Sequence, residues 1–224
     1  MGNYREQFEE LVNKLLKGKS KDDFLLLLDS FDTRDKLFHA LLDDFKTSNE
    51  LLKENNQSQY YRRTLVRTAF AMIEGLLNVL TQTVLETSKN GFFELSKHEL
   101  EKITEQTISK NGQLRAKFIS LTEKMQFSFS IFSQKMGGFE FVVDTTTNNW
   151  EKFETAISVR NQLMHPRTPK DLLLDDKQLS IVLDTTIWFI DLYKDLEKQV
   201  GEMSSKRSLD NLIKARIKGI QSGK

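Results

Sequence analysis

The chain contains only two prolines, Pro166 and Pro169, and both fall in one short loop. Proline lacks an amide proton and its ring clashes with the preceding helical turn, so it breaks helices. A chain that confines its prolines to one place can be helical on both sides of it. The apolar spacing agrees. Phe8, Leu11, Val12, Leu15 and Leu16 form one helical stripe. Leu65, Ala69, Ile73, Leu76 and Leu80 form another, within a long helix expected over 60–86.

Capping residues and glycines divide the rest. Ser20 caps a helix through Leu28, and Asp32 caps another that opens at Thr33-Arg34-Asp35 and runs to Glu54. The polar stretch 54–59 marks the first internal boundary. Ser96 and Glu99 form a capping box, opening a short helix that stops near Asn111-Gly112. A second long helix spans Gln113 to Met136 and ends at Gly137-Gly138. Residues 139–143 alternate weakly, as a short extended piece does. Asn148 with Glu151 opens the helix that leads to the prolines, and Asp175 with Gln178 opens another through Leu196. A basic helix, Ser208 to Ile220, closes the chain. The expected fold is all-α: an up-and-down helical bundle over 57–200, an N-terminal helical extension over 1–56, and a basic C-terminal helix or tail over 201–224.

Composition narrows the chemistry. At 224 residues, 38% of them apolar and 29% charged, the chain can bury a sizeable core under a solvated surface. The net charge of +1 gives no global attraction to nucleic acid or membrane, so such binding has to come from a local patch. With no cysteine, disulfides, thiolate nucleophiles and zinc–thiolate sites are excluded. Three scattered histidines without a paired spacing argue against a metal site. The start, MGNYRE, lacks the apolar run of a signal peptide, and the apolar stretch near Thr68 to Leu80 is interrupted by Glu74. The expected location is the cytoplasm.

Attention therefore falls on RNQLMHP, residues 160–166. At about 100° per residue, Arg160 shares a broad arc with Trp150, Phe153, Ala156, Ile157, Leu163 and Met164. A guanidinium there needs an anion: either a structural carboxylate such as Glu74, or a ligand phosphate gripped by its fork. Arg160 and His165 lie about 140° apart on a straight helix. Pro166 pushes His165 out of the α region, so the imidazole can swing towards Arg160 and Asn161. Such a trio can cleave RNA without metal. His165 moves a proton, because imidazole titrates near neutrality. Arg160 stabilises the charge that builds on the phosphorane, and Asn161 orients either partner.

R-N-x-L-x-H-P at a helix end resembles the signature of HEPN domains, compact helical bundles whose motif is an arginine, a polar residue, a short spacer and a histidine. Arg160, Asn161 and His165 fill those places. The segment 64–80 is similar to the long first helix of such domains, including its acidic residue, here Glu74. Segments 114–129 and 150–166, followed by a helix with Trp188, extend the likeness to about residues 60–200. The resemblance implies a metal-independent endoribonuclease with no cofactor, working as a homodimer with the motif at the subunit junction. Relatives act as toxins or in antiviral defence, often on tRNA, under the control of an antitoxin or other partner. No membrane or DNA partner is expected. Some relatives have lost catalysis. One subgroup carries a modified tyrosine two residues after the histidine. This chain has Arg167 there, which speaks against that form of control.

The candidate catalytic residues are thus Arg160, Asn161, His165 and Glu74, with Arg167 and Arg67 as RNA contacts. Each has a plainer reading. Glu74 shares a stripe with Arg67, and a local pair would explain it. His165 can simply cap carbonyls. His39 reads as packed and His98 as solvated. The phenylalanines read as core or dimer interface and not as base-stacking platforms. The tail cations Lys206, Arg207, Lys214, Arg216 and Lys218 can grip RNA or sit in water. The opposing functional reading is a non-catalytic helical module that uses the same cleft for a ligand or partner.

Overall fold

The computed structural model describes residues 21–108 and 113–222, with side chains over 35–107, 113 and 115–203. Helix makes up 77% and strand 2%, so the chain is all-α. Among the described residues six α-helices run in order: α1 (Lys21–Glu54), α2 (Gln59–Lys89), α3 (Lys97–Thr104), α4 (Leu121–Phe132), α5 (Asn148–Met164) and α6 (Asp176–Ser222). A π-helical turn, Ser133–Gly137, extends α4, and a 3-10 turn, Pro169–Leu172, follows α5. The stripe at Phe8 to Leu16 and the cap at Ser20 lie outside the described residues, as do the side chains of the basic tail.

α2 is the central element. Leu65, Ala69, Ile73, Leu76 and Leu80 are all buried, as their spacing predicts. Each large apolar side chain so buried stabilises the fold by roughly 1.5–3 kcal/mol. By length and composition α2 can cross a bilayer, with mean hydropathy 1.3 over its most apolar stretch, yet 67% of that stretch is buried. It packs mainly against α1 and α4, with further contacts to α3, α5 and α6. Gly75 permits the α1 crossing, because a Cβ there would stand 2.5 Å from Leu41 Cδ1. Nearby, the Ser48 and Thr68 hydroxyls join the two helices at 3.1 Å. Trp150, Phe153 and Trp188 form an aromatic chain between α5 and α6, at 5.5 and 6.0 Å between ring centroids.

The boundaries differ from expectation in five places. α1 is continuous where Asp32 was expected to begin a new helix, since nothing between 21 and 54 is a glycine or proline. The short helix ends at Thr104, not near Asn111. Glu105 takes a left-handed conformation (φ 50°), and the antiparallel strands β1 (Gln106–Ile108) and β2 (Leu114–Ala116) follow. The helix expected from Gln113 therefore starts only at Leu121, capped by Ser120, whose hydroxyl accepts from the Glu123 amide at 3.2 Å. The helix from Asp176 runs on to Ser222, merging the two helices expected after Asp175. Thr147, not Asn148, caps α5, accepting from the Trp150 amide.

Other punctuation matches. Ser96 and Glu99 form the reciprocal box, and Asp175 and Gln178 form another, at 2.8 and 3.1 Å. Gly138 ends the π-turn with φ 67°, a conformation that costs a side-chain-bearing residue energy. Residues 139–143 pair with no strand but do alternate. Phe141 and Val143 are buried, while Val142 is exposed.

Candidate functional site

Along α5 the buried arc rotates. It begins on Trp150 and Phe153 and finishes on Val159 and Leu163, all below 9% exposure. Ile157 and Arg160 are left at its open edge, and Met164, expected inside the arc, is exposed. The core stops supporting that edge because the chain is about to leave the helix. Met164 is the last helical residue, and His165 has φ −131° and ψ 56°, outside the α region as Pro166 demands. Its amide still donates to the Asn161 carbonyl at 3.0 Å.

Arg160 meets both of its possible needs halfway. Nη2 donates to Glu74 Oε1 of α2 at 2.6 Å, and Nη1 donates to Asn161 Oδ1 at 3.0 Å. The carboxylate anticipated for it is therefore present, and Asn161 holds the guanidinium from its neighbouring position. The pair is not sealed: the Arg160 and Glu74 side chains keep 27% and 37% of their exposure. Glu74 pairs with Arg160 and not with Arg67, whose side chain is exposed.

Two clefts flank this arginine. The first, about 280 Å³, is lined by Glu74, Glu105, Lys124, Arg160 and Asn161 among others. There Lys124 pairs with Glu105, so two ion pairs stand side by side. The second, about 580 Å³, is shallower and brings together Arg160, Asn161, Gln162, His165, Arg167 and Asp171. Arg160 and Asn161 line both, and so does Phe118. No described residue hydrogen-bonds the His165 imidazole or the Arg167 guanidinium. Arg67 is exposed and lines neither cleft. His39, expected to be packed, is exposed and bonds the Asp35 carbonyl through Nδ1 at 2.8 Å. His98 is exposed as expected. Among the described residues no cluster of three His, Asp or Glu side chains suits a metal ion.

The loop after His165 is held firmly. Asp171 Oδ2 accepts from the amides of Thr168 (2.7 Å) and Arg167 (2.8 Å). Those two amides, Thr168 first, keep its carboxyl below the usual aspartate range. The first turn of α2 fastens the far end. Gln59 exchanges two bonds with the Leu174 backbone, at 2.8 and 2.9 Å, and Arg63 donates to the Leu172 carbonyl at 3.0 Å. The buried Arg62 donates to the Leu174 and Asn56 carbonyls and pairs with Asp176 at 2.5 Å.

Glu105, Phe118, Lys124 and Asp171 are among the cleft residues that escaped the sequence reading. The capping pattern Ser120-x-x-Glu123 would have ended the expected helix in time to expose Phe118, and Thr168-x-x-Asp171 carried a similar signal. No family model, curated protein or solved structure matches this chain.

Proposed function

We propose that this protein is a metal-independent endoribonuclease of HEPN type, a toxin or defence effector acting in the cytoplasm as a homodimer. The observation that carries the reading is the gathering of Arg160, Asn161 and His165 in one open cleft at a proline-terminated helix end. In the proposed reaction the ribose 2′-oxygen attacks phosphorus and the 5′-oxygen leaves. The products are a 2′,3′-cyclic phosphate and a 5′-hydroxyl. His165 removes the 2′-hydroxyl proton or delivers one to the leaving oxygen. Arg160, aimed by Glu74 and Asn161, stabilises the dianionic phosphorane. Arg167 stands at the mouth of the same cleft, where it can hold a flanking phosphate. Arg67 lies apart and would touch only an extended substrate.

One observation favours a second reading, a non-catalytic helical module with a ligand or protein partner. Both cations of the deeper cleft already have carboxylate partners, Glu74 and Glu105, which lowers its pull on phosphate. The test is incubation of the pure protein with total RNA in EDTA, with the ends of the fragments mapped. Cyclic-phosphate ends that vanish in His165→Ala and Arg160→Ala, with fold and oligomeric state unchanged, are the expected result. Equal breakdown by all three proteins would exclude the nuclease.

A further inference from the structure

Phe118 is 92% exposed, more than any other large apolar side chain among the described residues. A phenyl ring held in water is costly, and here the backbone is fixed on both sides of it. On one side the Lys117 amide donates to the Glu105 carbonyl at 2.8 Å. On the other, Ile119 is buried and Ser120 caps α4. The ring lines both clefts, together with Arg160 and Asn161. Its surroundings are polar and charged on one side, with Gln162, His165, Arg167 and Asp171; on the other Glu105 and Lys124 stand beside Ile119, Leu121 and Ile157, which are buried or half-buried and add no second exposed apolar group. The exposed Val142, Leu173 and Ile187 line neither cleft. A protein interface surrounds an aromatic anchor with further apolar groups. A single-stranded nucleic-acid site instead sets an isolated ring beside cations that hold the backbone, and a base stacks on it.

We propose that Phe118 is a nucleobase platform, which stacks one base of single-stranded RNA and thereby selects the phosphodiester presented to Arg160 and His165. This rests on the nuclease reading of the cleft and adds a specificity determinant to it. Phe118 itself takes no part in proton transfer.

The test uses the full chain with His165→Ala, to prevent cleavage, and a fluorescent single-stranded RNA. Adding Phe118→Ala weakens binding roughly ten- to hundredfold, the range base–aromatic stacking supports. Phe118→Trp retains binding and Phe118→Leu does not. Replacing the stacked base with an abasic ribose costs the same factor, and that cost disappears once Phe118 is alanine. Unchanged binding in Phe118→Ala, or full rescue by Leu, overturns the proposal. So does a loss of dimer in Phe118→Ala by light scattering, which would make the ring a contact between copies. The two readings separate cleanly. Phe118-dependent binding without cleavage by the wild type removes the nuclease and keeps the platform. Cleavage that ignores Phe118 in rate and position does the reverse, and no RNA binding at all removes both.

Discussion

Replacing Glu74 with glutamine keeps the shape of its side chain and one acceptor for Arg160, but removes the charge. The cost follows from the pair's position. Two unit charges in contact at a half-wet surface attract by about 4 kcal/mol before solvation is counted. Exposed pairs retain only about 0–1 kcal/mol of that. With 27% and 37% of the side chains exposed and a 2.6 Å contact, the Glu74–Arg160 pair belongs at the top of that range. Glu74→Gln therefore lowers unfolding free energy by about 1 kcal/mol in urea titration at low salt, and by less in concentrated salt. In the proposed RNA cleavage two effects oppose one another. Loss of a carboxylate beside the proposed phosphate site lowers KM. Loss of the group that aims the guanidinium lowers kcat, by about tenfold for an orientation of this kind. A stability loss above about 3 kcal/mol would mean the pair behaves as a buried one, and the cleft would then be a scaffold feature. If KM and kcat both stay at wild-type values, Glu74 does not set Arg160 at all.

Two further predictions concern the helical frame away from the clefts. Gly138→Ala, placed at φ 67°, destabilises the protein by about 1–2 kcal/mol in chemical unfolding, and Gly138→Asn by less. At Glu99 burial opposes the charge, but the Lys135 ammonium and the Ser96 amide outweigh it and hold the carboxyl below the usual glutamate range. Its lowered value means that the stabilisation is present above the ordinary glutamate range and is lost as pH falls through the folded-state value. Ser96→Ala costs about 1 kcal/mol at neutral pH and flattens that acid limb in a series of urea melts.

How far the sequence could be read depended on whether a signal was local. The break at Pro166, the box at Ser96 and Glu99, and the opening at Asp175 are set by residues within one turn, and all appear where expected. Asp32 looked equally suitable as a cap, yet α1 runs through it. A cap residue only permits a helix start, and the helix continues unless something stops it. The hairpin after Glu105 was missed because β1 and β2 have three residues each, too few for an alternating pattern to register. The same miss hid Phe118 inside an expected helix. For the cleft, Arg160, Asn161 and His165 were legible from spacing along one helix. Glu105 and Lys124 were not, because they arrive from other elements and only tertiary packing places them there.

The fastening of the loop after His165 to Gln59, Arg62 and Arg63 has a consequence for how such a protein can diverge. Leu172 and Leu174 meet α2 in fixed register, so a residue gained or lost between them would unseat those bonds. The same α2 carries Glu74 fifteen residues beyond Gln59, so one straight rod sets the separation between the arginine's anchor and the histidine's loop. In the proposed nuclease, insertions that retune target preference would fall on the opposite bank, the hairpin side that carries Glu105 and Phe118.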